Sequence, residues 1–419
     1  MKLRLTLVVL LAQLALQTAP AQTGKAEHWV ATWGTAELLV HPRPPATPPA
    51  RQAPGAAGFH NQPVRMVVRT SMGGSRLRIK VENAFGSAPV EIGAAHIALR
   101  AKDSEIVAGS DRSLTFSGRP GCTLSPGVVW QSDPVDLKVP PLSDLAVSLY
   151  FPGETGPPTS HGTGLHTTYV SREGDFTGQP AIADPAFTTL SYYWLAAVDV
   201  QAPAGAAALI TFGDSITDGT ASTPNADHSW AARLAARLAK DKKTALVGVA
   251  NMGISGNRVL YDGSGASALA RFDRDVLSQS GVKWVMLLEG INDIGRVGTP
   301  TPEAPTAEDL IAAYRQIVEI AHTHGIKVIG CTLTPYEGAG YSREAGEAVR
   351  EAVNAFIRTG GAFDAVADFE AVTRDPANPK HIRADFDPGD HLHPNDAGYQ
   401  AMANAVDLSL FGGKRPAKR

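Results

Sequence analysis

The sequence predicts an α/β architecture with a parallel sheet, preceded by an all-β sandwich of jelly-roll type. The chain has 419 residues, of which 43% are hydrophobic, and such a length suits two to three domains of roughly 100–200 residues each. Over residues 27–200, short alternating segments are separated by Gly and Pro, which favours antiparallel strands. Over residues 206–412, strand-like and helix-like segments alternate, which favours a parallel sheet covered on both faces.

The charge and cysteine content narrow the classes of partner. Lys and Arg number 38 against 41 Asp and Glu, which gives a net charge of −3 without long runs of either sign. A nucleic-acid partner requires a clustered basic face, so no nucleic-acid partner is expected. The basic residues 413–419 are interpreted as a solvated tail. Cys122 and Cys331 are too few for a disulfide scaffold or a cysteine zinc site, and they predict two separate thiols or a single bridge.

The first 21 residues have the three-part pattern of a secretory signal peptide. Lys2 and Arg4 precede the apolar run Leu5–Leu16, and the small residues Ala19-Pro20-Ala21 predict cleavage after Ala21. The apolar run is shorter than the roughly 20 residues that cross a bilayer, and no later segment is long enough. The pattern therefore predicts a secreted or periplasmic protein with no integral membrane span after cleavage; an N-terminal anchor is the alternative.

Residues 27–200 predict mainly strands. Arg76–Val81 alternates strictly between polar and apolar residues, Val64–Arg69 does so less regularly, and Gly73-Gly74 between them predicts a two-residue hairpin. The Pro-rich stretch His41–Pro63 predicts an exposed loop, and residues 201–205 predict a linker. Further strands are predicted at Val90–Ala94, His96–Arg100, Val128–Gln131, Val135–Val139, Asp144–Phe151 and Thr167–Ser171.

Residues 206–412 predict alternating strands and helices. Strands are predicted at Ala208–Phe212, Ala245–Ala250, Trp284–Leu288, Ile326–Cys331 and Ala365–Phe369. Helices are predicted at Ser229–Lys240 (with Asp227 as a possible N-cap), Ala268–Ser278, Ala307–His322, Arg343–Arg358 and Asn395–Leu408. Ligands of such sheets bind beyond the carboxyl ends of the strands, so the chemistry is expected directly after each strand.

Three polar clusters follow predicted strands. Gly213–Gly219 follows the first strand and places Ser215 at a strand-to-helix turn, where a hydroxyl needs a base to become a nucleophile. Asn251–Asn257 follows the second strand, and its glycines let backbone N–H groups approach a ligand closely. Glu289–Asp293 follows the third, and a carboxamide there can donate to a developing oxyanion. Each cluster also fits a purely structural turn.

The fourth cluster, Asp390–Asn395, precedes the last helix. Asp390 and His393 are three residues apart at a turn, so the carboxylate can orient the imidazole while the other ring nitrogen serves Ser215. Metal binding by His391, His393, Asp390 and His381 is the competing interpretation. It lacks an H-E-x-x-H motif or a cysteine pair, so no metal is predicted.

Together and in this order, the clusters resemble the SGNH (GDSL-type) hydrolase superfamily. The matching blocks are Gly213-Asp214-Ser215, Gly256, Gly290-Ile291-Asn292-Asp293 and Asp390-His391-Leu392-His393. The serine block has Ile216 where the family name has Leu. The resemblance covers about half of the chain and implies a flavodoxin-like three-layer domain. More loosely, Trp29–Gly34 and the β-rich front half resemble secreted bacterial members that carry an N-terminal β domain.

The resemblance implies a site and a reaction. Ser215, His393 and Asp390 are the expected catalytic residues, and the oxyanion would be met by the backbone N–H groups of Ser215 and Gly256 and the amide of Asn292. Asp214 and Asp293 are interpreted as loop-orienting. Tyr336 and Arg258 are candidate substrate-binding residues, although a structural role fits both equally well.

The expected function is a secreted serine esterase without a cofactor, which hydrolyses small-molecule or polysaccharide esters with short acyl groups. Acetyl groups on carbohydrate are one subtype of such a substrate. A catalytically silent glycan-binding protein with a hydrolase-like domain is the alternative. A metal-dependent phosphoesterase that uses carboxylates near Asp214, Asp218 and Asp390 is the weaker third option.

Overall fold

The computed structural model describes residues 27–39 and 54–412. The predicted signal peptide, the front of the Pro-rich stretch and the basic tail lie outside the described residues. Within these two ranges, the helices are too short or too polar to cross a membrane. Cys122 is half-buried and Cys331 buried, and neither forms a disulfide.

The N-terminal region is β-rich, as predicted, and its strands pair antiparallel. The strands are β1 Trp29–Gly34, β2 Leu38–Leu39, β3 Gln62–Arg69, β4 Gly74–Glu82, β5 Val90–Ile92, β6 Ala94–Lys102, β7 Glu105–Ile106, β8 Arg112–Ser113, β9 Cys122–Leu124, β10 Val129–Gln131, β11 Val135–Val139, β12 Asp144–Phe151, β13 Thr159–His161, β14 Thr168–Val170, β15 Phe187–Thr189, β16 Tyr192–Tyr193 and β17 Leu195–Gln201. The larger sheets have the orders β1-β17-β4-β10 and β15-β14-β3-β12-β6-β7, and β16-β13-β2 form a third sheet. The jelly-roll connectivity stays a prediction.

The predicted hairpin at Gly73-Gly74 is wrong. β3 pairs with β12 and β14, whereas β4 pairs with β17, β10 and β11, so the segment between them passes from one sheet to another. Tertiary partners hold this segment: Thr32 Oγ1 donates to the Met72 carbonyl at 2.7 Å and accepts from its N–H at 2.8 Å. A Cβ at Gly73 would lie 2.5 Å from the Val139 carbonyl oxygen, so glycine here permits close approach rather than a tight turn.

The loop prediction for His41–Pro63 also needs correction at its end. β3 already begins at Gln62. Phe59 is only 2% exposed and contacts the rings of Phe151, Tyr193 and Trp194 with centroids 4.9–5.9 Å apart. A Pro-rich composition excludes regular structure locally, but it does not prevent one aromatic side chain from entering the core.

The C-terminal region contains a five-stranded parallel sheet of order β19-β18-β20-β21-β22. Its strands are β18 Ala207–Gly213, β19 Val247–Gly253, β20 Val282–Leu288, β21 Lys327–Cys331 and β22 Ala365–Ala367. Its helices are α1 Ser215–Asp218, α2 Trp230–Lys240, α3 Ala268–Phe272, α4 Ile291–Ile294, α5 Ala307–Thr323, α6 Glu344–Thr359, α7 Phe369–Thr373 and α8 Asp396–Ala405, with a π-helical turn Asp273–Leu277 and a 3₁₀ turn Leu408–Phe411. The α/β prediction is confirmed, while its flavodoxin-like refinement stays a prediction.

Two local predictions in this region differ from the structure. The N-cap of α2 is Ser229, whose hydroxyl accepts from the N–H of Ala232, and not Asp227. Asp227 instead has a φ of 56°, contacts the His166 ring at 2.9 Å and forms an ion pair with Arg69, both from the N-terminal region. The predicted helix Ala268–Ser278 is divided into α3 and the π-helical turn.

The two regions share one continuous hydrophobic core. β1 lies against β19, where a Cβ at Gly248 would be 2.3 Å from the Ala31 carbonyl oxygen. Ser71 also joins them, because its hydroxyl accepts from the Val249 N–H at 2.7 Å and donates to the Thr32 carbonyl at 2.6 Å. The β-rich region therefore covers the β19 edge of the parallel sheet.

Candidate active site

Ser215 lies directly beyond the carboxyl end of β18, at the first position of α1. Asp214 caps this short helix by accepting from the Ile216 N–H at 3.0 Å. The Ser215 side chain is 5% exposed, and its Oγ lies 2.8 Å from His393 Nε2. The strand end, the cap and the imidazole together fix the hydroxyl in one orientation.

His393 lies in the turn before α8 and contacts Asp390 through its other nitrogen. Nδ1 is 2.6 Å from Asp390 Oδ2, and Asp390 Oδ1 accepts from the backbone N–H groups of Leu392 and His393 at 3.0 Å each. Partial burial would raise the pKa of Asp390, but the hydrogen bonds from the His393 ring and the two N–H groups outweigh it and lower that pKa. The carboxylate is therefore ionised at neutral pH and holds a proton on Nδ1, which leaves Nε2 as the acceptor for Ser215.

Three candidate oxyanion donors lie in the predicted blocks. The backbone N–H groups of Ser215 and Gly256 have no hydrogen-bond acceptor in the described part of the chain. Gly256 has a φ of +81°, a left-handed conformation that glycine adopts readily. Asn292 Nδ2 donates one hydrogen to the Asn257 carbonyl at 2.9 Å, and its second hydrogen has no acceptor among residues 27–39 and 54–412. Unpaired donors of this kind suit a developing negative charge.

Sequence reasoning missed Arg271, which lies beneath this site. Its guanidinium is 1% exposed and donates to the carbonyls of Gly213 at 2.9 Å and Met252 at 2.7 Å, and to Asn257 Oδ1 at 2.9 Å. It also pairs with Asp275 at 3.0 Å. Arg271 therefore ties the ends of β18 and β19 to the glycine block. Its signal in the sequence is a charged residue on the apolar face of the predicted helix Ala268–Ser278.

Three buried carboxyl groups, those of Asp214, Glu289 and Asp293, lie close to one another, and the first two also interact electrostatically with Arg271. Burial raises the pKa of Asp214 to about 7 and that of Asp293 to about 6, and it raises the pKa of Glu289 well above its usual range. Asp293 accepts from the N–H groups of Val259 and Leu260 at 2.7 and 3.2 Å. The contacts of Asp214 and Asp293 are thus with backbone N–H groups, as a loop-orienting role requires.

The structure places the two predicted substrate-binding residues away from the hydrogen bonds of this site. Tyr336 is 1% exposed and packs against Gly346 of α6. Arg258 is buried, and its charge is paired with Glu303 at 2.6 Å. Tyr341, which sequence reasoning missed, donates its hydroxyl to Asn292 Oδ1 at 3.3 Å. A tyrosine in the loop after Tyr336 carried no motif signal, because only the folded loop brings it to Asn292.

The histidines considered for a metal each have a different carboxylate partner. His391 Nδ1 lies 2.5 Å from Asp387, and His381 Nε2 lies 2.9 Å from Glu337. Across the described ranges, the structure contains no cluster of three or more His, Cys, Asp or Glu side chains arranged for a metal ion.

Comparisons with known proteins agree with the motif resemblance. Residues 211–401 match the model of the GDSL-like lipase/acylhydrolase family. A search among curated proteins found no match.

Solved structures are similar to about half of the chain. They include a GDSL-like lipase from Bacteroides thetaiotaomicron (19% identity, covering 48% of this chain and 87% of that chain, TM-score 0.36). A second is an alpha/beta hydrolase from the metagenome of Lake Arreo, Spain (24% identity, covering 49% of this chain and 96% of that chain, TM-score 0.39). A third is a variant of an acetyl-xylooligosaccharide esterase from Geobacillus (23% identity, covering 51% of this chain and 97% of that chain, TM-score 0.38).

The matched segment 211–401 begins within β18 and ends within α8, so it contains all four blocks and the hydrogen-bonded serine. Over this segment, just under half of its length, the chain is similar to the GDSL-like lipase/acylhydrolase family.

Proposed function

We propose that this protein is a secreted serine esterase that hydrolyses carboxylic esters with short acyl groups through an acyl-enzyme on Ser215. The observation that carries the proposal is the continuous chain of hydrogen bonds from Ser215 Oγ through His393 to Asp390, with distances of 2.8 and 2.6 Å. A serine, an imidazole and an ionised carboxylate in this order have the geometry of a nucleophile, its base and the group that orients the base.

Acylation follows from these contacts. Ser215 Oγ attacks the ester carbonyl carbon while His393 Nε2 removes the hydroxyl proton, and Asp390 stabilises the resulting imidazolium. The carbonyl oxygen, now negative, accepts from the N–H groups of Ser215 and Gly256 and from the Asn292 amide. The tetrahedral intermediate then releases the alcohol, which takes the proton from His393.

Deacylation repeats the sequence with water as the nucleophile. His393 removes a proton from water as the water attacks the acyl-enzyme carbonyl, and the same three donors stabilise the second oxyanion. The carboxylic acid leaves, and Ser215 regains its proton from His393. Every step uses only groups of this protein and water, so we expect turnover without a cofactor. Removal of acetyl groups from carbohydrate is a subtype of this reaction.

The experiment compares the purified protein with Ser215→Ala on p-nitrophenyl acetate, butyrate and octanoate, with and without EDTA. Ser222→Ala is the matched control, since Ser222 lies seven positions along the same segment and its hydroxyl donates only to the Gly219 carbonyl at 2.7 Å. We expect Ser215→Ala to lose at least about 10⁴-fold in kcat, as removal of a triad member does, with Ser222→Ala and EDTA having little effect.

Turnover that survives Ser215→Ala would remove the proposed nucleophile, and loss with EDTA would favour the metal-dependent alternative. Turnover of octanoate that exceeds that of acetate would contradict the short-acyl preference. Export is proposed from the pattern in residues 1–21, and N-terminal sequencing of the protein from culture fractions tests cleavage after Ala21.

A further inference from the structure

The glycine block is held by Asp218, which the sequence linked only to the metal-dependent alternative. Asp218 Oδ2 accepts from both the backbone N–H and the hydroxyl of Ser255, at 2.9 and 2.6 Å. Ser255 directly precedes Gly256, whose N–H is one of the proposed oxyanion donors. The orientation of that N–H therefore depends on where Asp218 holds Ser255.

Asp218 is in turn held by a histidine from the N-terminal β-rich region. His161, the last residue of β13, places Nε2 2.9 Å from Asp218 Oδ1 and Nδ1 2.8 Å from the Ala36 carbonyl. Both partners of the ring are oxygens that only accept when Asp218 is ionised, so both ring nitrogens must donate and the ring is an imidazolium. The side chains of His161 and Asp218 are only 5% and 4% exposed, so this ion pair is shielded from water.

The electrostatic surroundings agree with this protonation state. Burial alone would lower the pKa of His161, but the Asp218 carboxylate and the carbonyl oxygens of Ala36 and Thr163 outweigh it and raise that pKa. Breaking a buried pair by removing one partner leaves an uncompensated charge, which the surrounding structure must move to accommodate.

We propose that His161 is a positioning residue for ester hydrolysis: through Asp218 and Ser255, it fixes the Gly256 N–H in the orientation that receives the oxyanion. The inference rests on the proposed esterase function and extends it, because it gives the N-terminal β-rich region a part in the reaction. A displacement of about 1 Å in a catalytic group can cost about 100-fold in rate. The connection through Asp218 is therefore expected to act mainly on kcat.

A second histidine provides a matched control at the same junction. His166 Nε2 lies 2.9 Å from Asp227 Oδ1, and the His166 side chain is 9% exposed. This pair also joins the β-rich region to the parallel-sheet region. Asp227, however, contacts Arg69 and precedes α2, and it makes no hydrogen bond to the glycine block. Loss of either histidine removes one such pair, but only His161 is connected to Gly256.

The experiment measures kcat, KM and thermal unfolding of the full chain for His161→Gln and His166→Gln, with p-nitrophenyl acetate as substrate. We expect His161→Gln to lower kcat about 10- to 100-fold with KM changed less than about threefold. We expect His166→Gln to lower the unfolding temperature by a similar amount and to leave kcat within about twofold of the wild type.

Two further variants keep the inference testable if His161→Gln folds poorly. Ser255→Ala and Asp218→Asn interrupt the same connection from the other side, and we expect each to lower kcat by a similar factor. The double variant His161→Gln/Ser255→Ala should lose little more than either single variant, because both changes break one connection.

Equal kcat for His161→Gln and His166→Gln, or multiplicative losses in the double variant, would overturn the inference while Ser215-dependent turnover kept the esterase proposal intact. Wild-type turnover that does not depend on Ser215 would overturn the esterase proposal and the inference with it. These outcomes separate a failure of the positioning role from a failure of the proposed function.

Discussion

Two groups of carboxylates follow the strand ends and the turn around Ser215, and their pKa values shift in opposite directions. The catalytic turn of the proposed mechanism, residues 387–393, contains Asp387 and Asp390, whose pKa values are lowered. The buried cluster, which consists of Asp214, Glu289, Asp293 and Arg271, contains carboxyl groups whose pKa values are raised. Residues of one chemical type therefore have different roles within one site.

The difference has a simple physical cause. Asp390 is 47% exposed and accepts from a histidine ring and two backbone N–H groups, so its ionised form is well solvated. Asp214 is 1% exposed and accepts one backbone N–H, so burial dominates. The comparison shows that a carboxylate that must stay ionised beside a base belongs in a solvent-exposed position such as that of Asp390. The buried cluster instead suits carboxyl groups that position the backbone.

The strongest test of this comparison is Asp390→Asn. The amide would donate to His393 Nδ1 and move the ring proton to Nε2, where it cannot accept from Ser215. A change of this kind in a Ser-His-Asp triad costs about 10⁴ in kcat, and we expect a loss of about 10³- to 10⁴-fold on p-nitrophenyl acetate. Asp387→Asn is the control, because Asp387 pairs with His391 in the same turn at 2.5 Å.

The control should keep kcat within a few fold of the wild type. If Asp387→Asn loses as much activity as Asp390→Asn, the pair Asp387–His391 takes part in the reaction and the proposed triad is incomplete. If neither variant loses activity, the catalytic turn does not supply the base.

The buried cluster is tested by Arg271→Lys. Lysine keeps the charge but cannot reach the four acceptors that the guanidinium contacts. Hydrogen bonds to charged groups contribute about 1.5–3 kcal/mol each, so losing two lowers the free energy of unfolding by about 3–6 kcal/mol. Urea denaturation measures this change. Arg172→Lys is the control, since Arg172 and its partner Asp184 are 68% and 75% exposed and such surface pairs contribute about 0.2–1 kcal/mol. Equal losses for the two variants would contradict a central role for Arg271.

The residue pattern pointed to Ser215, His393 and Asp390 of the proposed triad but not to Arg271 of the buried cluster, and the reason is physical. Ser215, Asp390 and His393 lie at strand ends and turns, where the chemistry is visible in the residue type and its spacing. Arg271 acts through carbonyls of two strands, and no residue pattern identifies a carbonyl as a partner. Tyr341 likewise depends on the folded course of a loop.

The same distinction applies to the fold. Parallel strands alternate with helices close in sequence, so periodicity predicted all five strands of that sheet to within a few residues. β4 instead pairs with β17, more than a hundred positions away, which no local pattern could indicate. The false hairpin at Gly73-Gly74 arose because two adjacent amphipathic strands need not be partners.

The titration of the buried cluster is tested by Asp214→Asn. The folded-state pKa of about 7 lies above the usual value near 3.9, so the contribution of this group to stability is present below about pH 4 and is lost as pH rises through 7. The free energy of unfolding of the variant, relative to that of the wild type, should rise by about 1.4 kcal/mol per pH unit between pH 5 and 7. Urea unfolding at pH 5, 6, 7 and 8 measures the difference.

Asp387→Asn provides a comparison, because the pKa of Asp387 is shifted in the opposite direction to that of Asp214. The lowered pKa of Asp387 means that its contribution to stability is present above its unfolded pKa and is lost only as pH falls through the folded pKa. Between pH 5 and 8, its difference from the wild type should therefore be constant. If the stability difference varied with pH for Asp387→Asn, or did not vary for Asp214→Asn, the contrast between the catalytic turn and the buried cluster would be wrong.

The smallest effect concerns Tyr341, which lies between the two groups. Burial raises the pKa of its phenol, and the Asp214 and Asp390 carboxylates raise it further, so the hydroxyl stays protonated and donates to Asn292 Oδ1. Without this hydrogen bond the Asn292 amide is less well oriented toward the oxyanion. A neutral hydrogen bond contributes about 0.5–1.5 kcal/mol, so Tyr341→Phe should lower kcat about 3- to 10-fold with little change in KM.

Tyr336→Phe is the matched control for this last prediction. The Tyr336 hydroxyl is buried without a hydrogen-bond partner in the described residues, so its removal should leave kcat unchanged and should not reduce stability. If Tyr336→Phe raises KM while Tyr341→Phe has no effect, Tyr336 contacts the substrate as the sequence suggested. In that case the orientation of Asn292 depends on its backbone contacts alone. The loop after β21 then contributes to substrate binding, and not to the orientation of Asn292.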